Sequence, residues 1–110
     1  MIQDRLDKIE ERLKQTDAVK ETEKAELLNL LETLRTEIDD LSKTHQEQAE
    51  SIAGFAELST REATRKEKSP ALFNLSAEGL TSSVREFEIS HPVLSEAINR
   101  FCTMLYNLGI

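Results

Sequence analysis

Residues 80–108 read LTSSVREFEISHPVLSEAINRFCTMLYNL. Within them Leu80, Val84, Phe87, His91, Leu94, Ile98, Phe101, Leu105 and Leu108 recur at steps of four and three. That spacing sets one residue per turn on a single face of an α-helix. Pro92 interrupts the stretch without shifting the phase of the pattern. Inside a helix a proline costs about 3 kcal/mol, whereas at the first position of a new helix it is tolerated. The reading is two helices meeting nearly in line at His91-Pro92, with Ser90 or His91 capping the second. One helix kinked at Pro92 is the alternative. Upstream, Ser76 reads as an N-cap flanked by a Leu75–Leu80 hydrophobic staple.

The same rhythm occurs earlier in the chain. Leu27, Leu31, Leu34, Ile38, Leu41, His45, Gln48, Ile52 and Phe55 step by four and three without a slip, as in coiled-coil packing. This predicts one long helix over 22–68, ended by Ser69-Pro70 because the residue before proline avoids helical geometry. Residues 69–75 then form a connector and 76–108 the second long segment. Each heptad run is ~42 Å long at 1.5 Å per residue. Ile2, Leu6, Ile9 and Leu13 mark a shorter helix over 1–15, followed by a turn within Thr16–Thr22. The expected fold is therefore all-α, one helical domain over 1–110. It is an antiparallel, coiled-coil-like hairpin of two heptad-patterned segments plus a short N-terminal helix. In that register Leu41 faces Leu94, and His45 meets Ser90-His91. His45, Gln48 and His91 would form a polar layer that fixes register.

The last helix is apolar over more than half its circumference, through Val93, Leu94, Ala97, Ile98, Phe101, Leu105 and Leu108, with Cys102 and Met104 beside them. A helix apolar on more than one side must be covered from more than one side. These seven residues are the expected interaction surface, with a second copy or another protein as the cover.

Composition narrows the function classes. The 110 residues carry 14 basic and 21 acidic side chains, a net charge of −7. Such a surface repels phosphate backbones, so nucleic acid is not an expected partner. No run approaches the length of apolar residues a membrane span needs, and no signal peptide opens the chain. A cytoplasmic location is expected. Cys102 is the only cysteine, so no intrachain disulfide forms.

Catalytic and metal patterns are weak. Asp39 and Asp40 are adjacent and diverge by about 100° on a helix, so they make no dyad. His45, His91 and Cys102 lack the local spacing of a zinc site. Ser90-His91 has no acid partner or oxyanion loop marked beside it. The basic run Arg61–Lys68 suits a helix C-terminus. Neither catalysis, nor a cofactor, nor a metal is expected.

The run Phe87-Glu88-Ile89-Ser90-His91-Pro92-Val93-Leu94, followed by Ile98 and the closing Leu105-Tyr106-Asn107-Leu108-Gly109-Ile110, resembles a family of short bacterial helical proteins. It is domain-of-unknown-function family 4404, with F-E-x-S-H-P and a terminal L-x-x-L-G-I. The resemblance implies a bacterial cytoplasmic helical protein and no particular activity. The expected function is a structural or protein-interaction module, a helical homo-oligomer or an adaptor. An acidic regulatory protein that docks on a basic protein partner is the alternative.

Overall fold

In α1 (Ile2–Gln15) the stripe Ile2, Leu6, Ile9 and Leu13 is buried and the opposite side is charged, the amphipathic pattern that the sequence spacing requires. A turn over 16–20 follows, in which the Thr16 hydroxyl accepts from the Ala18 N–H at 3.1 Å. Among the described residues four further helices follow: α2 (Glu21–Ser42), α3 (Gln46–Thr64), α4 (Pro70–Val84) and α5 (Pro92–Tyr106), with a single 3₁₀ turn over Arg85–Phe87 before α5. This is a computed structural model, and it describes residues 1–108. Among those residues the fold is all-helical.

The two long segments do not run straight. A continuous helix over 22–68 would be roughly 70 Å long at 1.5 Å per residue, and the longest dimension of the molecule is 37 Å. The chain doubles back at His45, so α2 and α3 pack side by side. It doubles back again between α4 and α5, which pack together rather than lying in line across Pro92. The heptad phase survives both turns because each helix presents its apolar stripe to one shared core. Helix boundaries move accordingly. α3 ends at Thr64 rather than Lys68, and Ser69-Pro70 opens α4 instead of closing a helix. Ser69 is the true N-cap, its Oγ accepting from the Leu72 N–H at 3.3 Å with Pro70 at the first helical position, a site proline favours. Ser76 lies buried within α4 and donates to the Phe73 carbonyl at 2.8 Å.

α2, α3, α4 and α5 form a ring in which α2 closes on α5, and α1 lies outside it against α2 and α3. α3 touches every other helix. Its inward residues explain this: Ala49, Ala53, Ala56, Ser59, Thr60 and Ala63 are all small and buried, so neighbouring backbones approach closely. Leu27, Leu31, Leu34, Ile38 and Leu41 of α2 meet Leu94, Ile98, Phe101 and Leu105 of α5 in the same core. Each fully buried side chain of this size contributes about 1.5–3 kcal/mol.

Polar contacts orient α1. Arg35 of α2 reaches Asp7 at 2.8 Å, Glu10 at 3.2 Å and the Gln3 amide oxygen at 2.8 Å. Arg5 pairs with Glu57 of α3 at 2.9 Å, and Arg12 Nε donates to Thr64 Oγ1 at 2.6 Å. Burial works against the Arg35 charge, yet its bonds to Asp7 and Glu10 hold its pKa above the ordinary value. Hydrogen bonds from Lys14 and Arg35 hold the Glu10 carboxyl below its usual range.

Candidate functional site: two histidine joints and an apolar strip on α3

The two chain reversals are built alike. At the first, the His45 N–H donates to the Leu41 carbonyl at 2.8 Å, and the His45 carbonyl accepts from the Ala49 N–H at 2.9 Å. At the second, the His91 N–H donates to the Phe87 carbonyl at 2.7 Å, and the His91 carbonyl accepts from the Ser95 N–H at 3.2 Å. Both histidines stand at the N-cap with φ −136° and ψ 65°. Each ring Nδ1 is hydrogen-bonded to the hydroxyl of the residue before it: Thr44 at 2.8 Å, Ser90 at 2.9 Å. A local hydroxyl thus orients each ring.

The correspondence extends along both arms. Leu34, Ile38, Leu41, Thr44, His45, Glu50, Ile52 and Phe55 match Leu80, Val84, Phe87, Ser90, His91, Glu96, Ile98 and Phe101 at one constant offset. α2–α3 and α4–α5 therefore share one helix–histidine–helix plan. The joints meet on Phe87, whose ring lies edge-on to His45 at 5.2 Å and to His91 at 5.7 Å between centroids.

His45, Gln48 and His91 do not make a buried polar layer. His45 and Gln48 are exposed and His91 is half-buried. The helices end where a seam layer would have to continue, so the histidines mark corners instead of rungs. Among the described residues no three metal-ligating side chains gather anywhere. Cys102 is buried in α5, and loss of solvent pushes its thiol pKa up to about 11, so at neutral pH it is an unreactive thiol.

The seven residues expected to form an interaction surface divide differently. Leu94, Ala97, Ile98, Phe101 and Leu105 are buried, and Leu108 is half-buried. Their cover is the chain itself, through α2, α3 and α4. Only Val93 is open, at 53% exposure. The apolar surface left uncovered lies elsewhere. On α4, Leu72 and Leu75 are 47% and 65% exposed. Beside them Phe55 and Leu58 of α3 are half-buried, and together these four line a shallow groove ending at Arg61 and Glu62. A second groove continues along α3 past Phe55, Gly54 and Ser51 to Glu50 and Glu47. Gly79 shapes the strip: a methyl group there would collide with the Phe55 ring, so the glycine lets that ring lie against α4.

At the strip's basic end, Glu62 is buried and Arg65 neutralises it at 2.8 Å. A buried carboxylate without such a partner would be costly. Sequence reading missed the strip because its members come from two helices and mix apolar, small and charged types. The one visible signal was Gly54, a glycine in the middle of a helix.

The geometry defines a class: a small helical bundle that offers an apolar surface strip on α3 and α4, with a charge-lined groove between α1 and α3. Residues 27–110 match the model of the family described as Domain of unknown function (DUF4404), and the chain belongs to that family. The matched region takes in both helix–histidine–helix units, from Leu27 of α2 onward. Neither a curated protein nor a solved structure matches the chain. No described helix is long and apolar enough to cross a membrane.

Proposed function

We propose that this protein is a non-enzymatic interaction module of the bacterial cytoplasm that works as a homo-oligomer. The observation that carries the reading is the strip of Phe55, Leu58, Leu72 and Leu75 on the outer side of α3 and α4. Clustered apolar side chains rimmed by charge are the usual mark of a protein contact. The free thiol of Cys102 suits a reducing compartment. The wide apolar arc of α5 is covered within its own chain by α2, α3 and α4.

Sedimentation equilibrium over a concentration series tests this. The expected mass rises to at least twice the 12.5 kDa of one chain. It should persist at high salt, because apolar contact is not screened. A single-chain mass at every concentration would overturn the proposal.

A further inference from the structure

α3 carries two heptad stripes. The inward one, Ala49, Ile52, Ala56, Ser59 and Ala63, is buried in the bundle. The outward one is Glu47, Ser51, Gly54, Leu58 and Arg61, at steps of four and three, with Arg65 following at the extended C-cap, and all six are exposed or half-buried. Globular packing needs one stripe. Leu58 is the apolar member of this outward face, and Phe55, Leu72 and Leu75 stand beside it, so the face offers a partly apolar track to a helix of another chain.

Its order of residue types identifies the partner. The stripe begins acidic with Glu47, beside Glu50, and ends basic with Arg61 and Arg65. Among the described residues Glu47, Glu50 and Arg61 take part in no ion pair, while Arg65 pairs with Glu62. Read in reverse, the stripe is the electrostatic complement of itself. A parallel copy would set acid on acid, and an antiparallel copy sets acid on base.

Gly54 supplies an independent observation. A mid-helix glycine costs about 0.5–1 kcal/mol relative to alanine. Gly79 has a reason within the chain, the Phe55 ring. At Gly54, among the described residues, a Cβ would meet the Arg5 guanidinium at 3.8 Å, an ordinary van der Waals distance, so the described chain gives no steric reason for glycine there. The gap lies on the outward stripe, four residues from Leu58. In a two-fold antiparallel pair of helices centred midway between these positions, the leucine of each chain lies over the glycine of the other.

We infer that the homo-oligomer is a two-fold dimer in which α3 packs antiparallel on α3 of a second copy. In it Leu58 sits in the partner's Gly54 gap, and Glu47 and Glu50 face the partner's Arg61 and Arg65. Phe55, Leu72 and Leu75 flank the seam. A two-fold contact is self-complementary, which is the property the stripe has. This deepens the proposed function and rests on it.

The test is a charge exchange on the full chain. One variant carries Glu47→Arg with Glu50→Arg, and the other carries Arg61→Glu. Glu47 and Arg61 are exposed and Glu50 is half-buried, so each variant is expected to keep its helicity by circular dichroism. Alone, each variant places like charges at both ends of the seam and should sediment as a monomer, or dimerise at least tenfold more weakly than wild type. Mixed in equal amounts, they should form a heterodimer of near wild-type affinity, visible by native mass spectrometry. Wild-type dimers with no loss in either variant would overturn the α3 seam and leave self-association standing through another face, such as Ile89 and Val93. Losses without recovery on mixing would overturn the antiparallel pairing. A monomeric wild type would overturn both this inference and the reading beneath it.

Discussion

The two helix–histidine–helix units share a corner and differ in what surrounds it. The first, α2–α3, turns at Thr44-His45-Gln46 and carries α1 on its outside. The second, α4–α5, turns at Ser90-His91-Pro92 and makes no contact with α1 among the described residues. The backbone angles at both histidines are the same, so proline is not what bends the chain. The shared elements are the hydroxyl residue before the histidine and the carbonyl four residues before it, which accepts its N–H. The matched aromatics diverge further. Phe101 is fully buried, while Phe55 at the equivalent position is half-exposed on α3. One unit spends its aromatic on the core; the other presents it at the surface.

That difference predicts the largest effect. Phe101→Ala should cost about 3–5 kcal/mol of stability, the usual range for a buried aromatic truncated in a core. Phe55→Ala should cost about 1 kcal/mol or less within one chain, since much of its ring already meets water. Urea melts of both variants at concentrations below self-association measure the gap. Equal losses would mean that the two units bury their aromatics alike.

A smaller effect comes from exchanging the corners. Gln46 occupies in α3 the first-turn position that Pro92 occupies in α5. The residue before it already has the backbone that His91 adopts before proline. Gln46→Pro should therefore stabilise by about 0.4–1 kcal/mol by restricting the unfolded chain, and Pro92→Gln should destabilise by a similar amount. Thermal melts of the two variants give the signs. A loss in Gln46→Pro would show that the joints are not equivalent.

The smallest effect belongs to α1, which only the first unit carries. The Glu10 carboxyl titrates below its ordinary value because Lys14 and Arg35 hydrogen-bond its charged form. Its folded pKa lies below the unfolded one. The stabilisation is therefore present above the unfolded value, roughly pH 4.3, and lost as pH falls through the folded one. Melting points from pH 6 to pH 3 should drop slightly more steeply in wild type than in Glu10→Gln. Parallel curves would remove Glu10 from the account.

How much of this was legible depended on the kind of signal. The inward stripes were written in leucine and isoleucine, so Leu27–Leu41 and Leu94–Leu105 announced helices and core together. The corners were not. Thr44-His45-Gln46 contains neither proline nor glycine, and the heptad phase passes through it unbroken. Ser69-Pro70 is ambiguous in principle, since the same pair can close one helix or cap the next, and here it caps α4. The arc on α5 is too wide for one neighbour. A sequence pattern counts the sides that need cover but does not say which element supplies it, and three helices of the same chain do. On α3 the seam residues Glu47, Ser51, Gly54, Leu58 and Arg61 look like an ordinary solvated face until the structure puts Leu72 and Leu75 beside them.

Leu58→Asp tests the dimer most directly, because Leu58 sits at the centre of the outward stripe and is only half-buried in its own chain. Sedimentation equilibrium and a thermal melt would be run on wild type and variant in parallel. The account predicts a wild-type dimer and a variant that sediments as a single chain with its helicity intact. A variant that remains dimeric, or a wild type that never leaves the single-chain mass, would contradict it.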